Sequence, residues 1–238
     1  MAEQLIVSSA VHSFMQSADT NAMKTLVVDG ASQLNLGASG NINVSASNVV
    51  HTGTAGNIAA AATNAVHMGY SGSVFGENGV HMGDSGTASG TSSVHMGIGG
   101  EAARYAQIAI GGKWGRQFSI VQMDGFGTTS LDMTLLDGSD FTFVDDRLYS
   151  IQIDLTARTD VNTAWFHTSK YTASFVNNTG TTTQIGTTTV LSTETTNGQS
   201  PTVNVTAAGN ILQISCIPYN AYNTMWYAVL QVTEQPIS

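Results

Sequence analysis

The stretch that decides the fold runs from Val66 to Gly100, VHMGYSGSVFGENGVHMGDSGTASGTSSVHMGIGG. Val-His-Met-Gly occurs at 66–69, 80–83 and 94–97, and Val-His-Thr-Gly precedes them at 50–53, so successive copies are offset by 16, 14 and 14 residues. A repeat of that length is one supersecondary unit, read as two short strands and two turns, with the glycine pairs Gly69/Gly72 and Gly83/Gly86 at turns that need positive φ. Residues 37–100 hold 14 of the chain's 25 glycines, two acidic residues (Glu77 and Asp84), no Lys or Arg, and one large aromatic pair, Tyr70 and Phe75. So few apolar side chains per repeat predict several chains wound or packed about a common axis, a homotrimer, rather than one chain closing its own core. The alternative is a flexible Gly/Ser-rich linker, which does not ordinarily keep a tetrapeptide in register.

Upstream, Leu5–Val7 reads as a short strand, and Phe14, Ala18, Ala22 and Leu26 fall four apart. That spacing predicts one short amphipathic helix over Ser13–Leu26, capped by Ser17 or Asp19 and stopped by Gly30. Downstream of Tyr105 the pattern becomes apolar–polar alternation broken by turn clusters. Ile151, Ile153, Leu155 and Ala157 alternate with polar neighbours, as do Leu212, Ile214 and Cys216, and Trp226, Ala228, Leu230 and Val232. Eight to ten strands at short spacing predict an antiparallel β-sandwich, jelly-roll-like, with the Thr-rich run 179–196 as an exposed hairpin. The expected organisation is therefore mainly β: residues 1–36 an attachment segment with a short helix, 37–104 a Gly-rich trimeric stem, and 105–238 a sandwich head.

Composition narrows the partners. Charged residues make up 10% of the 238 and the formal net charge is −9, which disfavours nucleic acid and anionic membrane surfaces. No apolar run reaches bilayer length, and the start MAEQLIVSSA lacks a basic region and an apolar core, so export by the standard secretory route is not expected. On that reading the Asn-x-Ser/Thr sequons at Asn43, Asn177 and Asn204 are silent, and a single Cys216 excludes an internal disulfide framework.

Candidate chemistry is sparse. His51, His67, His81 and His95 occupy equivalent repeat positions, so in a symmetric trimer each would make a ring of three imidazoles able to hold zinc or another transition metal. Such a structural ion is the one cofactor this reading allows, and the plainer alternative is a packing residue repeated because its unit is repeated. Gly83-Asp84-Ser85-Gly86 matches a serine-protease nucleophile, yet Gly69-Tyr70-Ser71-Gly72 holds the same register one repeat earlier, so the repeat explains it. Gly97-Ile98-Gly99-Gly100-Glu101-Ala102, with Asp124 beyond, fits a dinucleotide fingerprint without the βαβ unit that fingerprint needs, and reads as a hinge. Asp132, Asp137, Asp140, Asp145, Asp146, Asp154 and Asp160 are the densest charge, read mainly as turn residues, with a cation site or a glycosidase pair as alternatives. Trp114, Trp165, Phe166, Tyr171, Tyr219, Tyr222, Trp226 and Tyr227 are rings that serve a core or an interface or stack on sugars. The clearest ligand-binding candidate among them is the loop Tyr219-Asn220-Ala221-Tyr222-Asn223, and within it Tyr219, Asn220, Tyr222 and Asn223.

The run Ser17-Ala18-Asp19-Thr20-Asn21-Ala22-Met23-Lys24-Thr25-Leu26 resembles a short helical segment of bacteriophage tail-fibre proteins. The strand Leu148–Arg158 leading to Ala164-Trp165-Phe166, the Thr/Gly hairpin Gly180–Thr189, and the closing strands Gly209–Ile217 and Thr224–Glu234 resemble the heads that end many phage tail-fibre and virion-surface proteins. The resemblance implies a homotrimeric, non-enzymatic virion protein, made in the cytoplasm of the host bacterium and displayed on the particle. Its partners would be further copies of itself, other virion proteins through the N-terminal segment, and a host-surface glycan. A capsid decoration or head-fibre protein, a carbohydrate-binding module and a glycan depolymerase are the alternative readings.

Overall fold

Each Val-His-Met-Gly repeat forms one rung of a β-solenoid, in which a long strand and a short strand stack in parallel on their counterparts in the next rung. The computed structural model describes residues 5–8, 26–29, 33–38, 40–43, 45–112, 116–159, 166–196, 201–218 and 223–237. It divides into two compact units, Met1–Ala103 with Ala109–Gly112, and Arg104–Ile108 with Lys113–Ser238.

In the first unit β1 (Leu5–Ser8) pairs in parallel with β2 (Leu26–Asp29). The long strands β3 (Gln33–Ala38), β5 (Val49–Thr54), β7 (Val66–Gly69), β9 (Val80–Asp84) and β11 (Val94–Ile98) form one ladder, which β13 (Ile108–Gly111) extends. The short strands β4 (Asn41–Ile42), β6 (Asn57–Ile58), β8 (Ser73–Val74), β10 (Thr87–Ala88) and β12 (Glu101–Ala102) form a second ladder. Register is fixed residue for residue, Val on Val, His on His, Met on Met and Gly on Gly. Because strand side chains alternate, the histidines point inward while the valines and methionines of the same strands face out.

Glycine holds the rungs at this distance. Gly69 and Gly83 have φ of +144° and +139°, and a Cβ on Gly69 would lie 1.8 Å from the Gly83 carbonyl oxygen. Asparagine closes another corner: Asn48, Asn64 and Asn78 sit at φ 54°, 51° and 53°, and their amides bond along the stack, Asn48 to Asn64 and Asn64 to Asn78, each at 3.0 Å. The interior is narrow. Ile58, Val74, Ala88 and Ala102 are in register on the short ladder and fully buried, with Ala46, Val49, Ala62 and Ala65 around them.

The repeat therefore does not need three chains to close its core, which corrects the expected trimer-wound stem. A solenoid rung buries its faces on the rungs above and below and satisfies its main chain there, so alanine, valine and imidazole fill an interior only about one side chain wide. No α-helix is present among the described residues. The helix expected over Ser13–Leu26 lies outside them except at Leu26, which belongs to β2.

The second unit is antiparallel. β14 (Gln117–Gly127), β17 (Arg147–Thr159), β18 (Phe166–Asn178), β19 (Thr181–Thr195) and β22 (Thr224–Pro236) pair in the order β19-β18-β17-β22-β14. β15 (Leu131–Asp132), β20 (Thr202–Ala208) and β21 (Ile211–Ile217) make a separate three-stranded sheet, and β16 (Thr134–Leu135) pairs with β14. The expected jelly-roll-like β-sandwich head is corrected to this arrangement, one long meandering sheet with a small sheet against it. Strands up to 15 residues long, aligned by consecutive and closing-strand pairing, take most of the hydrogen bonding into one sheet and leave only short segments for the other. Their inward residues, among them Ile151, Ile153, Phe175, Ile214, Trp226 and Leu230, share one buried core. Within it Arg104 bonds Glu234 at 3.2 Å, donates to the Thr142 carbonyl at 2.9 Å, and lies 4.0 Å over the Phe141 ring.

Candidate functional site

Alternation along β14, β17, β18 and β22 places a set of polar and aromatic side chains opposite the core residues, and strand register lines them up in two rows. In one row Asp124 is opposite Tyr227, which is opposite Thr156. In the other Phe126 is opposite Met225, Met225 opposite Arg158, and Arg158 opposite Phe166. Leu131 and Asp132 of β15 and Thr134 of β16 complete the wall of a groove of about 720 Å³, a size suited to a small molecule or a short stretch of polymer. Phe126, Phe166 and Tyr227 are 60%, 46% and 38% exposed, so their faces are open to a ligand.

The groove combines hydrogen-bond acceptors, a cation and flat rings. The Asp132 carboxylate is oriented by the Ser215 hydroxyl and by the Gln213 amide at 3.3 Å. Trp226 is 2% exposed, and its Nε1 has no hydrogen-bond partner among the described residues. Carboxylates bind pairs of hydroxyls, a guanidinium binds hydroxyl or carboxylate oxygens in a fork, and aromatic faces cover the C–H faces of a pyranose. Those are the elements of sugar recognition.

Of the ligand-binding loop expected from the sequence, only Asn223 falls among the described residues. Tyr219, Asn220 and Tyr222 lie outside the described residues, and Asn223 precedes β22. Phe166 and Tyr227 were among the rings singled out in the sequence, whereas Phe126, Arg158 and Asp124 as a groove residue were not. The signal that would have found them is the polar half of each alternating strand, read across neighbours rather than along the chain.

The four repeat histidines form a column. His51, His67, His81 and His95 are fully buried, with ring centroids 4.8, 4.8 and 5.1 Å apart and successive planes within 6°, 11° and 6° of parallel. Within the chain the rings stack face to face. Their lone pairs lie in parallel planes, so three nitrogens do not converge on one ion at bonding distance. Among the described residues no group of three or more His, Cys, Asp or Glu side chains is arranged to hold a metal. Burial pushes the pKa of His67 and His81 down to about 4, with neighbouring histidines adding to it, and burial also lowers His51 and His95.

The remaining motifs resolve into structure. Ser85 donates to its neighbour Asp84 at 2.6 Å in a solenoid turn, and Gly97–Ala102 runs from β11 through a turn into β12 with no helix following. Asp137 accepts from both the amide and the hydroxyl of Ser139, which hold its carboxyl below the usual range. Asp145 bonds Asn177, Asp146 bonds the Thr179 amide, and Asp154 pairs with Lys170 at 3.0 Å. Asp160 lies outside the described residues. Cys216 is fully buried in β21, and burial pushes its thiol up to about 12.

No family model matches this chain and no curated protein matches it. Among solved structures it is similar to the tailspike protein gp49 of Acinetobacter baumannii bacteriophage Fri1, a capsular polysaccharide depolymerase, at TM-score 0.34 and 8% identity over 76% of this chain and 36% of that one. It is also similar to the tailspike protein of Acinetobacter baumannii phage AM24, at TM-score 0.31 and 8% identity over 77% of this chain and 49% of that one. The chain thus spans between a third and a half of the length of these tailspikes. The expectation of a protein without enzymatic activity is set aside here; depolymerase activity is a property of the Fri1 tailspike itself.

Proposed function

We propose that the chain is a bacteriophage fibre-like protein that engages a polysaccharide on the host surface through the groove between β14, β15, β17, β18 and β22. The observation that carries this reading is the pair of cross-strand rows, Asp124–Tyr227–Thr156 and Phe126–Met225–Arg158–Phe166, which align three exposed rings with a carboxylate and a guanidinium on one rigid sheet. A saccharide stacks on the rings and exchanges hydroxyl hydrogen bonds with Asp124, Asp132 and Arg158. The low charge and Thr-, Asn- and Gly-rich composition suit a long-lived β assembly. Assembly as a homotrimer, attachment to the virion through residues 1–36 and display on the particle surface belong to this same proposal.

The test is a panel of purified bacterial surface polysaccharides titrated with the full chain by calorimetry. Binding of at least one of them is expected, with Phe166→Ala and Tyr227→Ala each weakening it about tenfold or more while thermal stability stays near wild type. Failure of the whole panel, or equal binding by both variants, overturns the reading.

One observation favours cleavage as well as binding. Asp124 and Asp132 line the same groove, and a carboxyl pair flanking a glycosidic bond is the usual apparatus for glycoside hydrolysis. New reducing ends on incubation with the bound polysaccharide, lost in Asp124→Asn and Asp132→Asn, are the outcome that assigns cleavage.

A further inference from the structure

Four imidazoles buried one above another would be an unusual choice for a core that needs only small apolar filling, and their surroundings show how they are accommodated. The rings lie against a row of glycines: a Cβ on Gly56 would come within 2.3 Å of His67 Cε1, on Gly72 within 2.3 Å of His81 Cε1, and on Gly86 within 1.9 Å of His95 Cε1. The seat is thus shaped to the ring, with no room for an ion or a water between ring and backbone.

Hydrogen bonding fixes the column in its neutral form. His81 Nε2 accepts from the Gly86 amide at 3.2 Å, which leaves its proton on Nδ1, where it has no partner among the described residues. His95 Nε2 donates to the Gly99 carbonyl at 2.7 Å, and its Nδ1 has no partner among the described residues. His51 Nδ1 meets the Asn35 side-chain oxygen at 2.9 Å, and neither nitrogen of His67 has a hydrogen-bond partner among the described residues. A second proton on any of these rings would be an N–H buried without an acceptor, next to another ring that is also being asked to charge.

Little stands ready to offset such charge. Besides the histidines, the ionisable side chains of residues 33–102 are Tyr70, Glu77, Asp84 and Glu101. Asp84 favours the charged form of its neighbour His81, but this is outweighed by burial and by the flanking histidines. Glu101 accepts from Ser89 on the outside of the short ladder, and Tyr70 and Glu77 are exposed.

We infer that the histidine column is an acid-release device: the solenoid stays closed while its stacked rings are neutral and opens cooperatively when they take up protons. The sign follows from linkage. An unfolded histidine binds a proton near its ordinary pKa of about 6.5, whereas the folded column resists to about 4 at His67 and His81. Stability is therefore complete above the unfolded value and is lost as pH falls from there toward the folded one. Each ring that charges on opening raises the unfolded-to-folded ratio by up to about tenfold per pH unit, so His67 and His81 together give about a hundredfold.

The test uses the full chain with ring-labelled histidine, followed by nuclear magnetic resonance from pH 7.5 downward, with amide signals of residues 45–102 as the report on the solenoid. Tryptophan fluorescence reports separately on the second unit, since Trp114, Trp165 and Trp226 all fall within it. That unit carries its own buried histidine, His167, whose pKa burial also lowers. The expected result is four rings that keep neutral shifts to about pH 5 and then lose them together with the solenoid amides. Rings that titrate one by one near the ordinary histidine value, with the amide signals unmoved, overturn the inference. A second arm is the double variant H67N/H81N, which continues the asparagine already present in this register at Asn35. Its acid midpoint should fall and its slope drop by about a hundredfold per pH unit; an unchanged midpoint and slope overturn the inference. Should the double variant not fold, the wild-type ring titration decides alone.

Discussion

The imidazole of His67 lies flat on that of His81, ring centroids 4.8 Å apart and planes 11° from parallel, at a spacing set by the parallel pairing of β7 with β9. The two rings are neighbours in space because their residues are 14 positions apart in sequence, and each is held from the side by a glycine of the preceding rung, Gly56 for His67 and Gly72 for His81.

That seat gives the first prediction. Gly72→Ala places a methyl group 2.3 Å from His81 Cε1, and since no positive φ is required there the cost is steric alone. The solenoid should be destabilised by about 1–3 kcal/mol, read as earlier denaturant unfolding of residues 45–102 by hydrogen exchange with the second unit unaffected. Gly69→Ala adds a left-handed backbone and a collision with the Gly83 carbonyl, and should abolish the ladder rather than loosen it.

A second prediction concerns the Arg104–Glu234 pair, whose side chains are 8% and 5% exposed. Arg104→Ala strands a buried carboxylate and removes the cation from the Phe141 face. The expected cost is about 3–5 kcal/mol of stability in the second unit, measured by urea denaturation. The paired replacement R104M/E234L should cost less than R104A alone, because no unpaired charge is then left in the core.

In the groove, Arg158→Ala should weaken polysaccharide binding without altering stability, because Arg158 is exposed at its strand position. Calorimetric titration against the polysaccharide chosen in the binding panel is the check. A loss of stability equal to the loss of binding would assign Arg158 to the sheet instead of the ligand.

Cys216 provides a test of burial. With its thiol pushed up to about 12 by its surroundings, it should react with a thiol reagent at neutral pH only after the core opens. The labelling rate should follow global unfolding of the second unit across a urea series. Fast labelling in the absence of urea would show that β21 leaves the core in the native state.

How far the sequence could be read depended on whether the deciding contacts were local. The repeat register was legible, since Val-His-Met-Gly recurs at the rung length, and so was the inward face of β17 from the alternation of Ile151, Ile153, Leu155 and Ala157. The single-chain solenoid was missed because the count of apolar residues was compared with the needs of a globular core, while this interior is closed by Ala62, Ala65, Ala88 and four imidazoles. The sheet order of the second unit was not legible either: β22 sits between β17 and β14, and nothing local to residues 224–236 announces partners so far back in the chain. The groove inherits that difficulty, because Phe126, Met225, Arg158 and Phe166 become neighbours only through two long-range pairings and one between the consecutive strands β17 and β18.

The asparagine corner at Asn48, Asn64 and Asn78 has a bearing on length. Each rung ends at a left-handed residue, asparagine at Asn48, Asn64 and Asn78 and then Ser92, and begins again one strand spacing further on, so the solenoid works as a ruler whose graduation is roughly 4.8 Å per rung of 14 or 16 residues. Duplicating or deleting one whole repeat would change the reach of this unit by one graduation while leaving every corner, ring seat and glycine contact in phase. A change of length within a strand would put histidine where glycine is required, whereas the 16-residue step from His51 to His67 keeps phase by carrying its two extra residues between β6 and β7. A lineage bearing this fold can thus tune the length of this unit in discrete steps.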